Sequence, residues 1–136
     1  MDTARKDIKA LAKAAALLPQ EELLQVLAGQ SDLLIGIPKE TSLQEKRVAL
    51  VPEAVALLVA HGHQVVVESN AGNDSHFTDI EYSESGARIT HDRKDVFQSS
   101  LVLKVGPPSM EEVRMMGVGA TLVSAIQLSV QNDKLL

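Results

Sequence analysis

A chain of 136 residues with 18 acidic and 13 basic side chains, net charge −5, has the size of one domain with room for a short appendage. Such a chain buries roughly two thirds of the surface its unfolded form exposes, so it needs no staples, and with no cysteine it has none. The acidic balance excludes a general electrostatic grip on nucleic acid, and the few aromatics (Phe77, Tyr82, Phe97) exclude a base-stacking platform.

Residues 1–32 read as a helical arm. Ile8, Leu11, Ala15 and Leu18 recur at helical spacing, Ala10 to Ala16 is dense in the best helix former, and Pro19 interrupts. A second short pattern, Leu23, Leu24 and Leu27, closes at Gly29. The stripe is expected to pack on its own domain or on a sister subunit, with a foreign partner as the alternative.

From Leu33 short β runs alternate with helical stretches. Leu33 to Ile37 is a buried strand ended by Pro38; Pro52 to His61 is a helix with proline in its first turn and Gly62 as its stop. Gln64 to Glu68 is a strand, followed by a polar turn through Asp74. Thr78 to Ser85 is a helix, Ala87 to Ile89 a strand, Asp92 to Ser99 a helix and Leu101 to Val105 a strand stopped by Gly106-Pro107-Pro108. Ser109 caps a helix with Glu111 and Glu112 in its first turn, where carboxylates favour the dipole. Thr121 to Ile126 is the last strand. A helix starting at Val130 stops unfinished at Leu136, as a piece of a longer chain would.

Strand–helix alternation with near-continuously apolar strands predicts a parallel sheet covered on both faces. The fold class is therefore α/β: a doubly wound, mostly parallel sheet of about five strands in a three-layer, Rossmann-like or flavodoxin-like sandwich, over residues 33–136. No apolar run reaches the ~18 residues of a membrane span and no secretory pattern opens the chain, so a soluble, cytoplasmic domain is expected.

Such sheets bind ligands at the carboxyl ends of their strands. Two cations stand out there. Arg47 is followed at once by Val48-Ala49-Leu50-Val51-Pro52, which should anchor its backbone. Its fork suits the carboxylate of a small organic acid, or else pairs with Glu40 or Glu45 as an ordinary loop arginine. Lys104 interrupts an apolar strand, which is costly unless it emerges at the strand end or meets an acid. Aimed into a crevice, it could polarise a carbonyl or hold a carboxylate; the alternative is a lysine snorkelling at the sheet edge. His61 and His63 flank a helix stop and make no metal pattern, and His76 and His91 are loop residues. Gly117-Val118-Gly119-Ala120 precedes a strand, whereas a dinucleotide fingerprint follows one.

The run Ile35-Gly36-Ile37-Pro38-Lys39-Glu40, then Glu45-Lys46-Arg47-Val48-Ala49-Leu50-Val51-Pro52, resembles the opening of alanine dehydrogenases and of transhydrogenase α subunits. The likeness continues through His61-Gly62-His63, Ala71-Gly72, Gly86-Ala87 and Leu103-Lys104-Val105, covering residues 33–136 and leaving the arm outside. It implies the first, substrate-binding domain of a homo-oligomeric oxidoreductase, with NAD carried by a domain absent here and this chain alone inactive. The implied reaction takes L-alanine, water and NAD to pyruvate, ammonium and NADH. It also implies that Arg47 binds the substrate carboxylate and that Lys104 is the substrate lysine with a catalytic part. Where alanine dehydrogenases place an acid–base histidine, this chain has Gln127, which can hydrogen-bond a substrate but cannot exchange a proton near neutral pH. Transhydrogenase α subunits also lack that histidine, which makes hydride transfer from NADH to NADP the second reading. A third is a module that binds small carboxylates without redox chemistry.

Overall fold

The structure, a computed structural model, describes residues 32–125. The arm up to residue 31, the helix expected from Val130 and Gln127 lie outside them.

Five strands form one sheet: β1 (Leu34–Ile37), β2 (Gln64–Glu68), β3 (Arg88–Thr90), β4 (Leu101–Leu103) and β5 (Thr121–Val123). Their order is β3-β2-β1-β4-β5, and every pairing is parallel. Four α-helices connect them: α1 (Pro52–Ala60), α2 (Asp79–Glu84), α3 (Arg93–Phe97) and α4 (Met110–Met115). The doubly wound α/β expectation therefore holds. Strand order reverses between β1 and β4, and the carboxyl ends of that pair form the switch-point crevice where such sheets hold ligands.

Alternation along the central strands sorts the two apolar layers. Ile35, Ile37, Val65 and Val67 join Val55 of α1 and Tyr82 of α2 in one buried cluster. On the other face, Gly36 lies under α3: a Cβ there would stand 2.3 Å from the Val96 carbonyl oxygen and 2.7 Å from Ser99 Oγ. Only glycine lets that helix approach β1 so closely.

Helix starts follow their side chains. Thr78 and Ser109 each complete a capping box, with Glu81 and Glu112 respectively, and Asp92 accepts from the Lys94 amide. Two strands end earlier than expected. β4 stops at Leu103 instead of Val105, because its neighbour β1 runs into Pro38, which has no N–H to extend the ladder. β5 stops at Val123 instead of Ile126. The contact between these two strands continues all the same, since the Lys104 amide donates to the Val123 carbonyl at 2.9 Å and the Ala125 amide to Val105 at 3.1 Å.

Candidate functional site

The loop from Pro38 to Val51 carries the rim. It has no regular structure, yet it is tied down at several points. The Lys39 amide donates to Glu68 Oε2 at 2.7 Å, Ser75 Oγ to the Lys46 carbonyl at 2.7 Å, and the Tyr82 hydroxyl to the Leu50 carbonyl at 2.7 Å. Val48, Ala49 and Leu50 pack against the core cluster. The apolar run after Arg47 thus anchors the backbone at the position the sequence suggested.

Arg47 itself is open. Its side chain is 75% exposed and grips Glu45 through two parallel bonds, Nε to Oε1 and Nη2 to Oε2, both 2.9 Å. Oε1 also accepts the Arg47 backbone N–H at 3.0 Å. Of the two acids the sequence left open, Glu45 is the partner. The bonds from Arg47 hold the Glu45 carboxyl down at about 2, helped by the nearby charge of Lys104. Glu45 in turn raises Arg47 above its usual value, and the Glu40 charge adds to this.

Glu40 goes to the other cation. Lys104 Nζ donates to Glu40 Oε2 at 2.9 Å and lies 3.7 Å from Glu112 Oε2, with side chains only 2%, 6% and 4% exposed. Glu40 also accepts the amides of Val105 at 2.6 Å and Gly106 at 3.3 Å, so it stitches the end of β1 to the end of β4 across the switch point. Lys104 neither snorkels to the edge nor faces an open crevice here. It meets acids, as its cost demands.

The network runs further than the sequence showed. Glu112 also takes a hydrogen bond from Arg93, whose Nη1 reaches Glu68 Oε2 at 2.8 Å and the Lys39 carbonyl at 3.0 Å. The Arg93 guanidinium lies 5.3 Å from the centre of the Phe97 ring. Signs alternate along Glu68, Arg93, Glu112, Lys104 and Glu40, which ties together the end of β2, the segments that follow β1 and β4, and the starts of α3 and α4. The sequence marked Glu112 only as a first-turn carboxylate of α4, and nothing local to Arg93 marked it.

Beside this network lies a cleft of about 490 Å³, lined in part by Lys39, Glu40, Thr41, Glu68, Asp74 and Arg93. A second groove, of about 370 Å³, presents Glu53, Glu81 and Glu84 and no cation, so it repels an organic acid. Among the described residues no cluster of three or more metal-binding side chains forms. Two strand ends offer no cradle for a dinucleotide pyrophosphate: β1 runs into Pro38-Lys39-Glu40, and after β4 the amides of Ser109 and Glu112 are bonded inside their capping box.

These features define a class: a doubly wound α/β domain with a sealed lysine at its switch point and an exposed arginine fork on the loop after β1. The family described as Alanine dehydrogenase/PNT, N-terminal domain, matches residues 36–136, and the chain belongs to it. It is 40% identical over 97 residues to the alanine dehydrogenase of Staphylococcus saprophyticus, covering 71% of this chain and 26% of that protein. With the alanine dehydrogenase of Bacillus subtilis it shares 38% over 101 residues, 74% of this chain and 27% of the relative. Among solved structures it resembles an L-alanine dehydrogenase (TM-score 0.69, 36% identity, 72% of this chain and 27% of that one). It equally resembles a transhydrogenase from Sinorhizobium meliloti (TM-score 0.69, 33% identity, 74% and 30%). The chain spans about a quarter of the length of its curated relatives. It is the N-terminal domain of an alanine dehydrogenase-like protein.

Proposed function

We propose that this domain supplies the substrate-binding rim of an NAD-dependent oxidoreductase that converts L-alanine and water to pyruvate and ammonium. The observation that carries the reading is Arg47. Its fork stands exposed on the loop after β1, on a backbone anchored on both sides of it, within a domain whose curated relatives include alanine dehydrogenases.

In this reading the Arg47 guanidinium binds the substrate carboxylate and fixes which end of the acid faces the strand ends. Lys104 is the second cation. With its side chain 2% exposed, it acts on a bound acid through space, and direct contact with a carbonyl requires Glu40 to release it. Gln127 contributes a hydrogen bond to the substrate and no proton. NAD, held outside these residues, would supply the acceptor for the hydride that leaves alanine. Homo-oligomeric assembly belongs to the same reading.

Gln127 favours a second reading, hydride transfer from NADH to NADP as in transhydrogenases, and the equal TM-scores to both kinds of structure are compatible with it. The two part on one experiment with the longer protein: alanine- and pyruvate-dependent NAD(H) turnover in wild type and Gln127→His. Alanine dehydrogenase chemistry predicts turnover in the wild type. In Gln127→His it should be preserved or raised, with a pH profile moved toward an imidazole pKa of about 6.5. No turnover in either protein would sink it and leave the transhydrogenase reading ahead. For this chain alone, calorimetric titration with NADH should give no measurable binding; micromolar affinity would contradict the division of labour.

A further inference from the structure

We propose that Glu45 is a positioning residue: by holding the Nε–Nη2 edge of Arg47, it presents the Nη1–Nη2 edge to the carboxylate of the substrate. The inference rests on the reading of Arg47 given above and deepens it.

A guanidinium carries five donors arranged as two forks, one along its side and one at its end, and each matches a carboxylate. Glu45 takes the side fork, with both bonds at 2.9 Å. It also takes the Arg47 backbone N–H at 3.0 Å. One carboxylate therefore fixes the root and the tip of the arginine together. The side chain is folded back over its own amide.

Glu45 is itself well held. Its side chain is 17% exposed, and its backbone N–H closes a turn onto the Ser42 carbonyl at 3.1 Å. On the far side, Lys46 and Leu50 are bonded to Ser75 and Tyr82. The direction of the Arg47 tip is thus set by a chain of fixed points reaching back to the core. Among the described residues Nη1 has no hydrogen-bond partner, so the end fork is free to receive a ligand. An arginine already oriented loses less side-chain freedom on binding, which is the gain of preorganisation.

The same pair could be a competitor, a built-in carboxylate that the substrate must displace. The geometry argues otherwise. A substrate on the side fork would have to break both 2.9 Å bonds to Glu45, whereas the end fork offers Nη1, which has no partner among the described residues, and breaks neither.

The test is steady-state alanine oxidation by the full-length protein, comparing wild type, Glu45→Ala, Glu45→Gln, Arg47→Ala and the Arg47→Ala/Glu45→Ala double variant. Positioning predicts that KM for alanine rises about tenfold in Glu45→Ala, with kcat held within about threefold. Glu45→Gln, which keeps an acceptor oxygen, should recover part of the loss. The double variant should match Arg47→Ala alone, because Glu45 acts only through Arg47. A role confined to folding would lower the melting temperature and cost the double variant further activity, which overturns the proposal. A KM that is unchanged in Glu45→Ala while Arg47→Ala is impaired also overturns it. So does a fall in KM, which would mark Glu45 as the competitor. A wild type without alanine turnover defeats the underlying functional reading instead, which keeps the two failures apart.

Discussion

Two of the cation–carboxylate pairs at the rim, Lys104–Glu40 and Arg47–Glu45, share their chemistry and differ in their surroundings. Lys104 and Glu40 are sealed, at 2% and 6% side-chain exposure, and Glu40 is further bonded to two backbone amides. Arg47 and Glu45 stand in water, the arginine at 75% exposure. In a sealed pair, each charge depends on the other, since an orphaned ion has no solvent to fall back on. An exposed pair contributes little to stability, and its cation stays available to a ligand. The buried network therefore serves as architecture for the rim, and the exposed fork as its working surface.

The strongest test of that contrast is Lys104→Met. It leaves Glu40 without its cation and Glu112 with Arg93 alone, and breaking a buried pair in this way costs about 3–5 kcal/mol. Urea unfolding should show the loss; a midpoint equal to the wild type would mean that the network is not structural. Arg47→Ala should do the reverse. It should leave the unfolding midpoint in place and cut kcat/KM for alanine by about 100-fold in the full-length protein. Lysine at that position should rescue only in part, because the fork is lost. A matching fall in stability would erase the distinction between the two pairs.

The tether between the regions gives a smaller effect. Tyr82 is fully buried and its hydroxyl donates to the Leu50 carbonyl, holding the segment that follows Arg47. Tyr82→Phe should cost about 1 kcal/mol. Burial, reinforced by the Glu81 charge, pushes the phenol up to about 12 from its ordinary 10. The folded state therefore keeps its proton where the unfolded chain has lost it. The stability this group contributes is fully present below pH 10 and is lost as pH rises toward 12. Alkaline unfolding of wild type against Tyr82→Phe should show that limb in the wild type alone.

The smallest effect falls on the exposed pair. Glu45 titrates at about 2 instead of 4.5, so what the pair adds is present above pH 4.5 and fades as pH falls toward 2. Carbon NMR of the Glu45 carboxyl should place its midpoint there and move it upward with added salt. A midpoint at the ordinary glutamate value in low salt would mean that the pair is not formed in solution.

What the sequence determined by itself was local. Apolar runs ending at Pro38 and at Gly106-Pro107 marked strands β1 and β4, and Ser109 with Glu112 marked the start of α4, because these signals act within a few residues. The anchoring of Arg47 was legible for the same reason: Val48 to Leu50 must be buried wherever the chain goes. The pairing of acids with cations was not. Arg47 had two candidate partners, and it took Glu45, two residues away along the loop. Glu40 is separated from Lys104 by 64 positions, and Arg93 from Glu68 by 25. These groups meet only because the sheet sets β1 between β2 and β4, bringing the carboxyl ends of those strands together. Strand order is chosen by the packing of whole elements, so the sealed half of the rim could be read only once the sheet had formed.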